Sequence, residues 1–270
     1  MIKNISGISL ILPTLNEGKN LEILIPEITE MFKNLKYENY EILVMDDGSK
    51  DSTENILNNL RSNNQRINLI NRKKEPSLPM AIFEGIESSK FEFVMWLDAD
   101  GSMPVETIKL LIQKIETKPN AVVIGSRFVK GGGYKGVKDI GRYSFFKAVK
   151  NVNKSKDSVS GMVLSIVFNK FLKFVFGFEI KDITSGFIIL PKKYISKKPF
   201  ERTSYGEYFI YLINDLLKRK IDIVEVGYVC KTRVYGESKT ASSLIQLIKR
   251  GLPYIIAARI SKKERNENIW

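Results

Sequence analysis

Short apolar runs alternate with longer amphipathic stretches along most of the chain, and this alternation constrains the fold more than any other feature. The apolar runs predict buried strands, and the stretches with a helical apolar period predict helices that pack on them. The predicted strands are Ile8–Leu12, Glu41–Met45, Ile67–Asn71, Phe93–Leu97, Ala121–Gly125, Phe187–Leu190 and Ile221–Val229. The predicted helices are Lys19–Asn34, Thr53–Arg61, Met80–Ser88, Val105–Lys118 and Glu207–Lys218. We therefore expect an α/β fold in which helices flank a mostly parallel sheet.

Length and composition add limits to this fold class. The chain has 270 residues, 43% of them hydrophobic, which is enough for one large domain with a sizeable core. Cys230 is the only cysteine and there is no histidine, so an internal disulfide and a Cys/His zinc site are both excluded. The apolar stretch before Pro13 is too short for a signal peptide and is predicted to be a strand. We therefore expect a cytoplasmic protein.

Positive charge is concentrated in two parts of the chain. The net charge is +13; residues 130–181 carry 11 basic against 3 acidic side chains, and residues 231–270 carry 9 against 3. Such basic surfaces bind nucleic acid, anionic lipid headgroups or phosphorylated substrates. Both segments also contain helical apolar patterns, which favours a membrane surface as the partner.

The two amphipathic patterns in the basic segments are Val159–Phe178 and Ser243–Lys263. Asn169, Lys170 and Lys173 interrupt the first pattern, so it lacks the uncharged run that a transmembrane helix requires. Each pattern fits either a helix of the core or a helix that lies in the lipid headgroup region. Because both lie in basic segments, we favour peripheral association with the cytoplasmic face of a membrane.

Polar clusters with carboxylates follow three of the predicted strands: PTLNEG at residues 13–18, DDGSKDST at 46–53 and DADGS at 98–102. The carboxyl ends of parallel strands meet at one edge of a sheet, where open α/β folds bind ligands. Each cluster alone is explained better by an ordinary turn or a helix cap than by a binding site. The three together predict a binding site at this edge.

Asp98 and Asp100 are the most informative residues of these clusters. Two carboxylates at this spacing repel each other unless a cation lies between them. Mg²⁺ or Mn²⁺ accepts such ligands and keeps open positions for the phosphate oxygens of a substrate. The pair therefore predicts a metal ion that holds a diphosphate.

Six segments occur in the order found in one enzyme family: ILPTLNEGKNL, EILVMDDGSKDST, MWLDADGS, AVVIGSRFVKGGG, KDITSGF and TRVYGESK. On these segments the chain resembles the inverting glycosyltransferases of family 2, and within them the polyprenyl-phosphate sugar synthases of the dolichol-phosphate mannosyltransferase type. The resemblance implies a GT-A type (Rossmann-like) domain over residues 1–239, with 130–181 as its basic segment that faces acceptor and membrane. A C-terminal amphipathic helix and basic tail would follow at residues 240–270.

The resemblance also implies roles for individual residues around a nucleotide-diphosphate sugar, with GDP-mannose favoured, and Mg²⁺ or Mn²⁺. The residues implied around the nucleoside are Pro13, Leu15, Glu17, Met45 and Asp47. Those implied around the metal and the diphosphate are Asp98, Asp100 and Ser102, with Ala99 contacting the donor through its backbone. Those implied as basic donor or acceptor contacts are Arg127, at the transferred sugar or the acceptor phosphate, and Arg233 and Lys239, which would close over the diphosphate. Asp100 and Arg127 would be the catalytic residues.

The chemistry of the basic residues supports this assignment independently. Arg233 and Lys239 flank a Tyr-Gly-Glu-Ser turn, and a planar guanidinium with a compact ammonium could clamp a phosphate as the loop closes. The alternative is a solvated basic loop. The sequence also departs from the family pattern: Leu15 replaces an aromatic residue, Ile188 replaces the arginine after Ser-Gly-Phe, a Gly-Leu-Gly turn is absent near Ser77–Pro79, the middle segment Val137–Ser160 matches poorly, and a basic residue is missing near Gly161. The donor side is therefore intact and the acceptor side altered.

We expect an inverting glycosyltransferase that transfers a hexose, with mannose favoured, to a polyprenyl or dolichyl phosphate at the cytoplasmic membrane face. The sequence leaves open whether a membrane-protein partner is needed. One alternative is a family 2 enzyme that builds a surface polysaccharide or glycolipid. A nucleic-acid-binding protein or a non-catalytic membrane scaffold would explain the charge, but either would leave the carboxylate pair without a role, so we expect no nucleic acid as partner.

Overall fold

The computed structural model describes residues 5–134, 137–138, 159–233, 235 and 244–267. Its centre is a seven-stranded sheet with the strand order β3-β2-β1-β4-β8-β5-β9, beside a three-stranded sheet with the order β10-β6-β7. The strands are β1 Ile8–Thr14, β2 Tyr40–Asp46, β3 Ile67–Asn71, β4 Phe93–Trp96, β5 Val122–Ser126, β6 Gly133–Tyr134, β7 Val137–Lys138, β8 Ile188–Pro191, β9 Ile223–Gly227 and β10 Val229–Cys230.

Helices connect and cover the large sheet. They are α1 Gly18–Asn34, α2 Thr53–Asn63, α3 Leu78–Ser88, α4 Val105–Thr117, α5 Val159–Phe176, the short α6 Lys198–Glu201, α7 Tyr208–Lys218 and α8 Leu244–Asn266, with a 3₁₀ turn at Lys192–Tyr194. The predicted α/β class with a mostly parallel sheet is confirmed.

One strand runs against the others. β8 lies between β4 and β5 and is antiparallel to both, whereas the remaining pairs in the large sheet are parallel. The apolar run at Phe187–Leu190 predicted a strand there but carried no information on its direction. The predicted strand Ile221–Val229 is divided at Tyr228, after which β10 joins the small sheet. Strands of two residues have no measurable period, so the small sheet was not predicted.

The core has a layer on each face of the sheet. On one face, Phe32 of α1 stacks on Tyr40 with ring centroids 4.1 Å apart, and α4 packs beside α1. On the other face, Trp96 is fully buried and donates its indole N–H to the Tyr208 hydroxyl at 2.9 Å. The hydrogen bond satisfies a polar group that burial would otherwise leave without water.

The strand order places the polar loops together. β1 pairs in parallel with β2 on one side and with β4 on the other, so the chain changes direction across the sheet at β1. The crevice outside the carboxyl ends of the strands at such a point is where open α/β sheets bind ligands. The loops after β1, β2 and β4 therefore border one cleft, as the sequence predicted.

The C-terminal helix packs on the rest of the fold. α8 buries Ala257, Ala258 and Ser261 completely and contacts α7. Glu264 accepts a hydrogen bond from Asn214 of α7 at 3.1 Å. The boundary expected at residue 240, between a GT-A type domain and a C-terminal helix with a basic tail, remains a prediction.

α5 and α8 lie side by side and run in the same direction. Phe168 packs edge-on against Tyr254 with centroids 6.0 Å apart, and Lys262 donates to the Val175 carbonyl at 2.9 Å further along both helices. The pair is neither wholly buried nor wholly exposed. Among the side chains of this pair that the structure describes, the exposed large apolar ones are Val167, Phe171 and Phe174 on α5 and Leu252, Ile256 and Ile260 on α8. Among the described residues, none of the helices has the length and hydropathy needed to cross a bilayer.

The packing of α8 leads to a stability prediction. Ala258 has no exposed surface, so Ala258→Leu should force extra atoms into a closed contact and lower the free energy of unfolding by about 1–3 kcal/mol. Ile260→Asn is the matched control, because Ile260 lies on the exposed side of the same helix and its replacement should change stability by less than about 0.5 kcal/mol. Urea unfolding followed by circular dichroism measures both, and equal midpoints for the two variants would contradict the packing.

Candidate active site

The loops that follow β1 and β2 are tied together by hydrogen bonds. The N–H of Asn16 donates to the Ser49 hydroxyl at 2.8 Å, and the Asn16 side-chain oxygen accepts from the N–H of Lys50 at 2.7 Å. Asn16 has a φ of 58°, in the left-handed region that asparagine tolerates better than most residues. The N–H of Gly18 donates to the Asp51 carboxylate at 3.2 Å. The two loops therefore form one continuous rim.

Asp46 and Asp47 have different roles although they are adjacent. Asp46 accepts from the N–H of Ser49 at 3.0 Å and so closes the turn of its own loop. Asp47 accepts from the Arg72 guanidinium through one oxygen and from the N–H of Ser77 at 2.9 Å through the other. The Asp47 carboxylate is therefore held in one orientation at the end of β2.

Arg72 is a residue of this site that the sequence analysis missed. Its side chain is almost fully buried and also binds Glu84 of α3, with Nε 3.0 Å from Oε2 and Nη2 3.3 Å from Oε1. The hydrogen bond from Arg72 holds the pKa of Glu84 below its usual value. The only signal in the sequence was a basic Arg-Lys-Lys run directly after β3, at the same sheet edge as the carboxylates.

The residues predicted around the nucleoside differ in accessibility. Pro13, Leu15 and Glu17 are half-buried along the rim. Met45 has no exposed surface, and a Cβ placed on Gly85 would lie 3.0 Å from its Cγ, so its side chain belongs to the core. The structure therefore offers no accessible surface of Met45 for the predicted contact with the nucleoside.

Asp98 and Asp100 follow β4 as predicted, in a tight turn. Gly101 has a φ of 75°, a conformation that glycine adopts without strain, and the N–H of Ser102 donates to Asp100 Oδ1 at 2.9 Å. Ala99 is buried and Asp100 nearly so, whereas Asp98 is exposed. The turn thus directs two carboxylates to the sheet edge at different depths.

The environment of Asp98 disfavours its charged form. Its pKa is raised to about 7, first by loss of hydration in the cleft and second by the negative charge of Asp100. Solvent still reaches the side chain, which limits how far burial alone can raise this pKa. A bound cation would favour the charged form and lower the pKa.

Arg233 reaches across the cleft from the C-terminal part of the chain. Its Nη2 donates to Asp100 Oδ2 at 2.8 Å, and its Nη1 lies 3.3 Å from Glu17 Oε1. Burial by itself would lower the pKa of Arg233, but Asp100 and Glu17 more than offset this effect and raise it. The guanidinium therefore links the loop after β1 to the loop after β4.

The donor set fits one kind of metal site. Among the described residues, no group of three or more acidic, cysteine or histidine side chains is placed to enclose a metal. Mg²⁺ and the similar Mn²⁺ commonly bind through one or two carboxylates and complete their coordination with water and substrate phosphate oxygens. Asp98 and Asp100, beside an open cleft, fit that type of site. They do not fit a metal held by protein ligands alone.

Arg127 follows β5 and is held by Asp182. Its Nε and Nη2 donate to the two Asp182 oxygens at 2.8 and 2.7 Å, and Nη2 also donates to Thr184 at 2.9 Å. Burial would lower the pKa of Arg127, but the Asp182 carboxylate outweighs it and raises the pKa. Glu225 in turn accepts from the N–H of Asp182 at 3.1 Å. Sequence reasoning identified Arg127 but not the two acids that orient it.

Some predicted features lie outside the described residues. Lys239 is one of them, as are residues 139–158 within the basic segment. Ile188, which stands where the family pattern has an arginine, is fully buried in β8.

The model of the family described as "Glycosyl transferase family 2" matches residues 9–197. Among solved structures, glucosyl-3-phosphoglycerate synthase from Mycobacterium tuberculosis, in complex with Mn²⁺, UDP-glucose and phosphoglyceric acid, superimposes with a TM-score of 0.60 at 17% identity, covering 95% of this chain and 80% of the other. Mannosyl-3-phosphoglycerate synthase from Rubrobacter xylanophilus gives a TM-score of 0.59 at 14% identity, covering 96% and 75%. These two likenesses show a shared GT-A type fold.

Two curated relatives are more similar in sequence. A dolichol-phosphate mannosyltransferase from Pyrococcus furiosus is 32% identical over 239 residues, which is 88% of this chain and 60% of the relative. The chain thus spans less than two thirds of that relative's length. A polyprenol monophosphomannose synthase from Mycolicibacterium smegmatis is 26% identical over 244 residues, 87% of this chain and 82% of the relative. With the family model covering most of its length, the chain belongs to glycosyltransferase family 2.

Proposed function

We propose that this protein is an inverting glycosyltransferase that transfers a hexose, with mannose favoured, from a nucleotide-diphosphate sugar to a polyprenyl phosphate. The observation that carries the proposal is the convergence of Asp98, Asp100 and Arg233 at the carboxyl edge of β1 and β4. Two relatives named for dolichol-phosphate and polyprenol mannose transfer support both substrates. GDP-mannose is the donor that we favour, because both names give mannose as the sugar.

The donor side of the cleft supplies position and charge. Asp98 and Asp100, with Ser102 in the same turn, would hold the divalent metal, which when bound offsets the negative charge that develops on the leaving diphosphate. Asp47, which is fixed by Arg72, would contact the nucleoside together with Pro13 and Leu15. Ala99 offers only its backbone because its side chain is buried.

The acceptor side requires no general base. The chain has no histidine, the side chain most often used to remove a proton near neutral pH. A phosphate monoester does not need one, because its second ionisation lies near pH ~6 and it is already largely an oxyanion at pH 7. Arg127 is oriented by two hydrogen bonds to Asp182 and would direct such an acceptor phosphate toward the sugar. Lys239 would assist at the diphosphate.

The exposed apolar side chains of α5 and α8 support peripheral binding to the cytoplasmic face of a membrane. Phe174 is 90% exposed, and both helices also carry exposed cations, which are suited to anionic headgroups. Among the described side chains of these helices, the exposed cations are Lys170, Arg259, Lys262 and Lys263. This arrangement would place a lipid-linked phosphate and the protein at the same interface, with or without a membrane-protein partner.

Ile188 favours one alternative. A fully buried isoleucine in β8 cannot contact an acceptor, so the acceptor side lacks the arginine of the family pattern. A family 2 enzyme that builds a surface polysaccharide or glycolipid would not need that arginine. Transfer to polyprenyl phosphate compared with transfer to the matching polyprenol distinguishes the two functions.

The carboxylate pair should control donor use. Asp100→Asn keeps the shape of the side chain but removes a charge, and we expect transfer from GDP-mannose to fall at least about 100-fold with the fold unchanged. Chelation of divalent metal should have a similar effect on the unmodified protein. Asp215→Asn, at a half-buried carboxylate on α7, is the matched control and should leave transfer unchanged. Full transfer by Asp100→Asn, or by the unmodified protein in excess chelator, would refute the assignment.

The ionisation state of the acceptor should decide its use. Radiolabelled mannose should pass to polyprenyl phosphate and not to the matching polyprenol, because only the phosphate is already an oxyanion. Asp182→Asn should lower kcat about 10–100-fold by loosening Arg127, yet neither it nor Glu207→Gln should remove a limb of the pH profile. Efficient transfer to the alcohol, with a profile governed by one essential carboxylate, would point to the polysaccharide or glycolipid enzyme instead.

The apolar surface should govern membrane binding. Vesicles with anionic lipid should bind the protein more strongly than neutral vesicles, and added salt should weaken binding. Phe174→Ser should reduce flotation with anionic vesicles several-fold, whereas Leu110→Ser removes a 45% exposed side chain from α4 and should have no effect. Equal flotation of the two variants would contradict a membrane role for α5.

A further inference from the structure

A short strap lies across the cleft, formed by residues Lys231–Arg233 and Tyr235. The N–H of Lys231 donates to the Ser102 carbonyl at 2.8 Å, which fixes one end beside the loop after β4. The N–H of Tyr235 donates to Asn20 Oδ1 at 3.0 Å, and Asn20 Nδ2 donates back to the Tyr235 carbonyl at 3.2 Å, which fixes the other end to α1. The strap therefore spans the space between the two loops.

Arg233 lies between these anchors and shares its charge between two carboxylates. Nη2 donates to Asp100 at 2.8 Å and Nη1 lies 3.3 Å from Glu17. Its side chain is 24% exposed, so the pair with Asp100 is sheltered from much of the solvent. Glu17 is itself oriented by Asn20, whose Nδ2 lies 2.6 Å from Oε2. A fixed positive charge thus occupies one oxygen of a carboxylate that the proposed donor site needs for its metal.

We propose that Arg233 is a built-in counter-cation that competes with the divalent metal for Asp100, and that Glu17 retains the guanidinium over the cleft when the metal takes Asp100. The inference rests on the proposed metal-dependent donor site. Glu17 is then a positioning residue for Arg233. Once the hydrogen bond from Arg233 to Asp100 is broken, Nη2 can donate to an oxygen of the donor diphosphate.

The physical reason is charge balance. Arginine does not lose its proton at any physiological pH, so the competition cannot be relieved by deprotonation. When metal binds alone, it must displace the Arg233 guanidinium from Asp100, which lowers the net free energy of metal binding. When metal binds together with a diphosphate, Arg233 gains a new anionic partner that offsets this loss. Affinity for the metal and affinity for the diphosphate are therefore coupled, and each ligand should strengthen binding of the other by the same factor.

The test measures metal binding without any turnover. Mn²⁺ is titrated into the protein alone and with GDP or UDP present, and free Mn²⁺ is followed by electron paramagnetic resonance. Arg233→Gln should increase the affinity for Mn²⁺ alone about tenfold. It should also reduce the factor by which GDP or UDP increases the affinity for Mn²⁺. Glu17→Gln should also reduce the gain from the nucleotide, but without tightening binding of Mn²⁺ alone.

Three controls locate the effect. Lys231→Gln removes another cation of the same strap, one that pairs with Glu106 at 3.6 Å outside the cleft, and should leave Mn²⁺ affinity unchanged. Arg233→Lys keeps the positive charge, so it should increase the affinity for Mn²⁺ alone by less than Arg233→Gln does. Asp100→Asn combined with Arg233→Gln should abolish the tightening. Circular dichroism and melting temperature establish that each variant is folded.

Unchanged or weaker Mn²⁺ binding by a folded Arg233→Gln variant would overturn the inference, as would equal tightening by Lys231→Gln. The outcome is independent of sugar transfer. If no nucleotide sugar and lipid phosphate support turnover, the proposed function fails, while the Mn²⁺ titrations still decide whether Arg233 competes for Asp100.

Discussion

Pairing of arginine with carboxylate across long stretches of chain is the interaction on which the site depends. A parallel sheet brings the acidic loops after β1, β2 and β4 to one edge, where their charges repel each other. Two arginines offset this repulsion, in the pairs Arg72–Asp47 and Arg233–Asp100, and a third pair, Arg127–Asp182, fixes the arginine that follows β5. Removal of Asp182 would leave the largely buried Arg127 without its carboxylate partner, whereas Arg72 and Arg233 would each keep a second one, in Glu84 and Glu17. The same contacts therefore serve stability and position.

The sequence predicted the framework and the acidic half of the site. Apolar period located the strands to within a residue or two, as β3 at Ile67–Asn71 illustrates, and the common edge of the three acidic loops then followed from the behaviour of parallel sheets. The sequence did not predict which basic side chain pairs with which carboxylate. Arg127 and Asp182 are 55 residues apart, and no local pattern encodes a contact at that separation. The antiparallel direction of β8 was missed for the same reason.

The C-terminal helices show a different limit. The sequence pattern of α8 fitted both a core helix and an interfacial helix, and the structure explains why. One side, with Ala257 and Ala258, is closed against the fold, while another presents Leu252 and Ile256 to solvent. A helix with two apolar faces of different function gives a weak and ambiguous period, so burial could be assigned only from the contacts themselves.

The order of strands in the sheet differs from their order of synthesis, and this fixes when the site can form. β8 must enter between β4 and β5, which leave the ribosome earlier, and Arg233 follows Asp100 by 133 residues. At synthesis rates of about 5–20 residues per second, Arg233 is synthesised roughly 7–27 s after Asp100. During that interval the growing chain carries an acidic sheet edge without its counter-cation. The cleft is therefore among the last parts of the domain to be completed, after most of the hydrophobic core is already available to collapse.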